Sequence, residues 1–350
     1  MGLTVLSLFD GIGCGYLALD RAGIEVGSYY ASEIDNGAIS IAKHNHPKII
    51  EIGNVTDIEY KDGILYTANG DFPVGKIDIL IGGSPCTDFS TIGHARGMKS
   101  GAKDILSLED YLDLKEKGTV FEGQSYLFWE YVRILRSTCP SHFLLENVIM
   151  SKKWQTVIDG ALGVSPVQIN SALLSAQNRP RLYWTNIPGV SPPADRNIVI
   201  RDILDSEASA RDVSSCQTVQ KCFPKLCEKY GYIPSIFNAY NVRELKDKAC
   251  ALSRGSMVTS SCATLLFVEV PDGVHTVERN IMDGKYPCKL SDGRYNLRRL
   301  SLREMERLQT LPDDFTLVDG IGVQKRGTAI GNCWTVDVIA HIFSFLGMQK

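Results

Sequence analysis

The sequence predicts an α/β protein built on a doubly wound, mostly parallel sheet, with a smaller and irregular second domain. Three observations carry this prediction. From Leu3 to about Pro188, short apolar runs of strand length alternate with stretches of helical spacing, the rhythm of βαβ units. The first run ends in a glycine-rich turn, Phe9-Asp10-Gly11-Ile12-Gly13, of the kind that leads from a strand into a helix. At Pro188-Gly189-Val190-Ser191-Pro192-Pro193 the alternation stops, as it does at a domain boundary.

Each element follows from local pattern. Val5–Phe9, Gly27–Ala31, Ile77–Ile81, Phe143–Leu145 and Leu182–Thr185 read as strands, being short, apolar and bounded by turn residues. Phe128 to Leu135 carries apolar residues at helical spacing, which predicts a helix packed on the sheet. Residues 98–117 mix leucines with balanced charges; they predict a surface helix, better suited to packing against protein than to gripping phosphate. Residues 190–297 show no βα alternation and form the predicted small domain. Leu302 to Leu311 reads as helical, and Gly331-Asn332-Cys333-Trp334 opens a last helix through Phe345 that should pack back on the first domain. The expected division is 1–189 with 298–350 as the main domain and 190–297 as the second.

Composition narrows the function classes. With 44% hydrophobic and 22% charged residues the chain is ordinary for a globular protein. No apolar run suggests a membrane span, and Asp10 cuts the first apolar run too early for a signal peptide, so a cytoplasmic protein without a membrane partner is expected. Ten cysteines are scattered with no Cys-x-x-Cys pair, which argues against a disulfide framework; Cys216, Cys222 and Cys227 lack a second ligand pair, so no metal is expected. The net charge is −3, so any electropositive face must come from local clusters. Arg298-Arg299, Arg303 and Arg307 form one, Lys325-Arg326 another.

The chemistry-bearing residues sit at strand ends. Cys86, in Gly82-Gly83-Ser84-Pro85-Cys86, follows the Ile77–Ile81 run, where open α/β sheets present ligands; a thiol there is a candidate nucleophile. The Phe9–Gly13 turn puts helix N-terminal amides against a nucleotide-like ligand. Glu33, about twenty residues on at the end of the second strand, is placed to hold ribose hydroxyls. These features alone also fit a dinucleotide dehydrogenase. Glu146-Asn147-Val148 follows another strand, and Gln177-Asn178-Arg179-Pro180-Arg181 precedes the last.

The four motifs, in this order and spacing, resemble the cytosine-C5 DNA methyltransferase family, over the chain from Val5 to its end apart from about residues 190–290. The resemblance implies the S-adenosylmethionine-dependent, Rossmann-like methyltransferase fold, double-stranded DNA as partner, and a target-recognition domain in the variable region; the sequence leaves the oligomeric state open, with a monomer favoured. It implies that Phe9 stacks on the adenine, that Gly11 and Gly13 approach the methionine part within a turn completed by Asp10, Ile12 and Gly15, and that Glu33 and Ile34 hold the ribose end. Asn54-Val55 stands where the family often has an Asp facing the adenine amine, and an Asn carbonyl can accept the same hydrogen bond. Ser84, Asn332 and Trp334 complete the implied cofactor set; the tryptophan is closer to the eukaryotic de novo branch than to most bacterial members.

For catalysis the resemblance implies a Cys86 thiolate adding to C6, Glu146 at N3 and the exocyclic amine, Asn147 positioning the Pro85 loop, Arg181 donating to O2, and Arg179 steadying the loop or a phosphate. Thr87 replaces the Gln of many bacterial members. Since a paired cytosine exposes neither face of C6, the base must be flipped out, with Ser90 and Arg96 on the implied lid. In the recognition region Arg243, Lys248 and Arg254 are the candidate DNA contacts, and Lys248-Ala249-Cys250-Ala251-Leu252 resembles a stretch common in bacterial and phage members. Two rivals remain. The tRNA-methylating branch shares this chemistry, but Cys222-Phe223 matches only two residues of its signature. A silent DNA-binding regulator would typically lack the Cys, the Glu or the glycines, all present here.

Overall fold

A computed structural model describes residues 2–85, 98–100, 103–121, 123–205, 212–253, 263–269, 287, 290 and 295–348. Two compact units divide the chain: Met1–Asn170, Pro180–Ala194 and Val336–Lys350 form the first, Ser171–Arg179 and Asp195–Thr335 the second. Residues 298–335, grouped by sequence with the main domain, thus fall in the second unit.

The first unit is organised by seven strands: β1 (Leu3–Leu8), β2 (Val26–Ser32), β3 (Ile49–Glu51), β4 (Ile79–Gly82), β5 (His142–Val148), β6 (Val167–Asn170) and β7 (Pro180–Thr185). Their order is β6-β7-β5-β4-β1-β2-β3. All neighbours are parallel except β7, which runs antiparallel to β5 and β6. The central strands are covered on both faces, which is why β4 reads as an unbroken apolar run, all four of its residues buried. The strand order reverses between β1 and β4, and in open α/β sheets ligands bind at the carboxyl ends beside such a switch.

Helix α1 (Cys14–Arg21) follows β1, and α2 (Asn36–Asn45) follows β2, capped by Asp35, whose carboxylate accepts from Gly37 N and Ala38 N. β3 and β6 were not foreseen. Nor was an antiparallel meander, Glu59–Lys61, Ile64–Thr67 and Gly70–Pro73, although its signal is readable: Asp62-Gly63 and Asn69-Gly70 are hairpin dipeptides, and Asp62, Gly63 and Gly70 adopt positive φ.

Helix α3 (Leu108–Glu116) is a surface helix, with Glu109, Leu112, Asp113 and Glu116 exposed, but its inner face is tied into the core. It buries Leu108 and Tyr111 in the main core beside α4 (Leu127–Thr138). Glu130 of α4, with no exposed surface, accepts from Tyr111 Oη, from Lys115 Nζ at 2.5 Å and from Arg133 at 2.5 and 2.7 Å. Two bonds come from α3, so the segment is fixed to the core, though it does pack on protein as its charge balance suggested. Helix α5 (Lys152–Leu162) precedes β6.

In the second unit, helix α6 (Gln217–Tyr230) packs Val219, Cys222, Phe223 and Leu226 into a small core with Phe237, Leu265 and Leu297. The strands Arg243–Glu244, Ile236–Asn238, Thr264–Glu269 and Tyr295–Arg299 form an antiparallel sheet in that order. Helix α7 (Leu302–Leu308) opens with a capping box between Ser301 and Glu304, and α8 (Val323–Asn332) follows. The predicted last helix is broken at 333–335. Helix α9 (Val336–Ser344) belongs to the first unit, where it packs on α1, with Arg21 and Asp337 paired at 2.6 Å. The stretch Val323–Gly347 meets the length and composition of a membrane span, but half of it is buried.

Candidate active site

Register gathers the motifs of the first unit at one edge. Leu8 pairs with Gly82, and Gly82 with Leu145, so the chain leaves β1 at Phe9 and β4 at Gly83 level with Glu146 on β5. That is the carboxyl edge on which ligands of such sheets bind.

On β1 the exit turn is bent by three left-handed residues, Phe9 (φ 58), Gly11 (φ 64) and Gly13 (φ 79). An aromatic residue at positive φ is uncommon, and such strain concentrates at functional turns. A Cβ on Gly11 would meet nothing within 4 Å, so glycine there serves the backbone angle and leaves open space. A Cβ on Gly13 would stand 3.0 Å from His46 Cδ2 and 3.3 Å from Ile49 Cδ1, so there it also serves packing. Ile12 and Gly15 are buried behind the turn.

Glu33 accepts from Gly11 N at 2.9 Å, Ile34 N at 2.7 Å and Asp35 N at 2.9 Å. A carboxylate offers about four lone-pair sites, so holding two ribose hydroxyls requires release of at least one of these amides. Ile34 beside it is 69% exposed, an apolar platform open to solvent. An open glycine turn, a carboxylate at the strand end and this platform fit a nucleoside such as that of S-adenosylmethionine. Asn54 caps a short turn, its carbonyl accepting from Thr56 N at 3.2 Å, which leaves a second lone pair. Val55 is packed in the core.

Beneath the turn lie two acids with buried carboxyl oxygens, Asp10 of the turn itself and Glu51, which the sequence did not mark. Asp10 Oδ1 accepts from Ser7 Oγ at 2.5 Å and Tyr29 Oη at 2.6 Å, while Oδ2 is buried without a hydrogen bond. Burial pushes this carboxyl up to about 6 against those two bonds. Both oxygens of Glu51, at the end of β3, are likewise buried without partners, and burial followed by the nearby Asp10 charge pushes it up to about 7.

On β4 and β5 the loop carrying the predicted nucleophile is anchored. Asn147 Nδ2, buried, donates to Ser84 Oγ at 3.2 Å and Ser84 O at 3.3 Å. The backbone is thereby held at Ser84. Cys86 itself lies outside the described residues, as do Ser90, Arg96 and Arg254. Glu146 pairs with Arg181 Nε at 2.9 Å, both side chains largely buried. The antiparallel register sets Arg181 opposite Val148, diagonal to Glu146 on the same face.

Three expectations are corrected within the second unit. Arg179, 5% exposed, donates to the carbonyls of Leu252 (2.7 Å), Gly331 (3.3 Å) and Cys333 (3.1 Å), so its guanidinium holds backbone. Lys248 is no DNA contact in this structure, since its ammonium donates to Ala172 O, Ser175 O and Ile198 O at 2.7, 3.1 and 2.5 Å. Four of the clustered arginines are paired: Arg298 with buried Glu304, Arg303 with Asp205 and Asp314, Arg307 with Asp313, and Arg326 with buried Glu306. Arg243 is exposed. Asn332 is exposed and Trp334 half-buried. Gln309, fully buried, was missed; its signal is a lone amide inside the apolar pattern of Leu308 to Leu311.

Comparison with known proteins places these motifs in context. A family model described as C-5 cytosine-specific DNA methylase matches residues 3–112 and 175–347. The type II methyltransferase M.NgoPII of Neisseria gonorrhoeae is 25% identical, across 97% of this chain and 94% of its own. The orphan methyltransferase M.SPRI of Bacillus phage SPR is 32% identical, across 53% of this chain and 38% of its own. Among solved structures, Entamoeba histolytica methyltransferase EhMeth superposes with a TM-score of 0.66 at 14% identity, covering 99% of this chain and 98% of that one. Dnmt2 of S. pombe does so at 0.61 and 20%, covering 98% of each. These two share the fold.

Proposed function

The chain belongs to the C-5 cytosine-specific DNA methylase family and is an S-adenosylmethionine-dependent DNA (cytosine-5-)-methyltransferase; on that premise we propose that Cys86, Glu146 and Arg181 act together on a cytosine flipped out of duplex DNA. The cofactor, when bound, supplies an electrophilic methyl group. The residues proposed to hold it are Phe9, Gly11, Gly13, Glu33, Ile34 and Asn54, with Asn332 and Trp334.

Cytosine C5 is a poor nucleophile until aromaticity is broken. A Cys86 thiolate forms a bond to C6, and the ring electrons move to make an enamine nucleophilic at C5. Glu146, carrying a proton, hydrogen-bonds N3 and the exocyclic amine, offsetting the negative charge that builds on the ring. Arg181 donates to O2 while orienting Glu146. After methylation, loss of the C5 proton and departure of the thiolate restore the ring. The observation that carries this reading is the Glu146–Arg181 pair beside the loop that Asn147 anchors. We place the enzyme in the cytoplasm of a bacterial or phage-infected cell, acting as a monomer on double-stranded DNA.

Transfer of tritium from labelled S-adenosylmethionine to duplex DNA, but not to tRNA, is the expected result. Labelling of tRNA alone would move the enzyme to the RNA branch, and no labelling of either would leave a silent binder.

A further inference from the structure

Helix α8 ends without a glycine cap: Cys333 follows it in an extended conformation (φ −74, ψ 166), so its last carbonyls need partners from elsewhere. Two side chains distant in sequence supply them. Gln309 Nε2 donates to Ile330 O at 2.9 Å and Cys333 O at 3.2 Å, and Arg179 donates to Gly331 O and Cys333 O.

The other end of the Gln309 amide is also fully used. Its Oε1 accepts from Thr335 Oγ1 at 2.9 Å and Gln177 Nε2 at 3.1 Å. A primary amide has four such positions, and here all four are filled at zero exposure. Gln177 in turn accepts from Leu252 N at 2.7 Å, and Thr335 meets Ser171 at 2.8 Å. One buried amide therefore ties the 171–179 stretch, Leu252 of the recognition region and the Ile330–Thr335 turn into one network. A fully satisfied buried network fixes a single geometry, and an apolar replacement removes four hydrogen bonds from it at once.

We infer that Gln309 is a positioning residue for methyl transfer, setting the exit of the chain from α8 and so the placement of Asn332 and Trp334. This rests on the proposal that those two residues hold the cofactor. The role differs from core stabilisation in what it moves: cofactor affinity as well as melting temperature.

The test is S-adenosylmethionine affinity by calorimetry alongside thermal melting. Gln309→Met should raise Kd roughly tenfold, the scale of one lost buried hydrogen bond. Thr335→Val, nearly isosteric and safer for folding, should raise it about threefold, and Thr335→Ser should restore it. Gln309→Glu should bind weakly at pH 8 and recover toward wild type at pH 6, where a protonated carboxyl regains one donor. Trp334→Ala is the control. If it weakens binding while Gln309→Met and Thr335→Val lower only the melting temperature, Gln309 is structural and the inference fails. If Trp334→Ala leaves Kd unchanged, the cofactor reading of that turn fails, and this inference with it.

Discussion

Arg179 and Arg181 are two residues apart in one motif and have opposite fates. Arg181, on β7, pairs across the sheet with Glu146 at the carboxyl edge. Arg179, in the second unit, spends its guanidinium on three carbonyls. The same contrast separates the regions they belong to. At the sheet edge, Glu33, Glu146 and Arg181 stand at the strand ends where open α/β sheets bind ligands. In the second unit, Arg298, Arg303, Arg307, Arg326 and Lys248 are absorbed by carboxylates and backbone. Positive charge in a sequence becomes a nucleic-acid surface only when the fold leaves it unpaired.

The largest effect expected from this contrast is at the edge. Cys86→Ser should abolish methyl transfer while S-adenosylmethionine affinity stays within a few-fold, because the thiolate acts on the base; substantial turnover by the variant would refute covalent catalysis. Glu146→Gln should lower kcat by about 10²–10³, as for loss of a group that stabilises transition-state charge, with little change in melting temperature.

Next come the two arginines, which should cross over. Arg179→Met should cost about 2–4 kcal/mol of stability, since it removes the buried guanidinium bonds to Leu252 O, Gly331 O and Cys333 O, whereas Arg181→Met should act mainly on kcat. Equal effects of both on melting and kcat would erase the distinction. Lys248→Met and Arg243→Ala extend it: the first should lower stability, and only the second should reduce DNA affinity and its salt slope.

Glu33→Ala should weaken S-adenosylmethionine by about 1–3 kcal/mol, read by calorimetry. The smallest effect concerns pH. Asp10 and Glu51 hold their protons more tightly folded (about 6 and about 7) than unfolded. Between about pH 4 and 7 the native state therefore binds more protons, so stability of the cofactor-free enzyme falls as pH rises through that window and levels off above it. Glu51→Gln should flatten part of this slope and stabilise the enzyme at pH 8 by ~1 kcal/mol, allowing for its partial exposure.

The parallel sheet was legible because its strands are buried on both faces and leave unbroken apolar runs, as in Ile79–Ile81. The gathering of the motifs at one sheet edge was legible because register converts motif order into proximity: one pairing level, Leu8, Gly82 and Leu145, suffices. What escaped depends on partners remote in sequence. Lys248 looked like a DNA contact because its three carbonyl acceptors lie about fifty to seventy-six residues away. Helix α3 looked superficial because the buried acid that fixes it, Glu130, belongs to another helix. Gln309 showed only as a lone amide between Leu308 and Leu311, because its partners are also remote. The meander at residues 59–73 is the exception, since its two hairpin dipeptides were there to be read.

The central claim is a covalent bond from Cys86 to C6 of a flipped cytosine, and duplex DNA with 5-fluorocytosine at the target tests it most directly, since fluorine cannot leave as the C5 proton does. With S-adenosylmethionine present, wild type should form a complex that survives denaturing electrophoresis, and Cys86→Ser should form none. No such complex from an active wild-type enzyme, or an undiminished one from Cys86→Ser, would contradict the account.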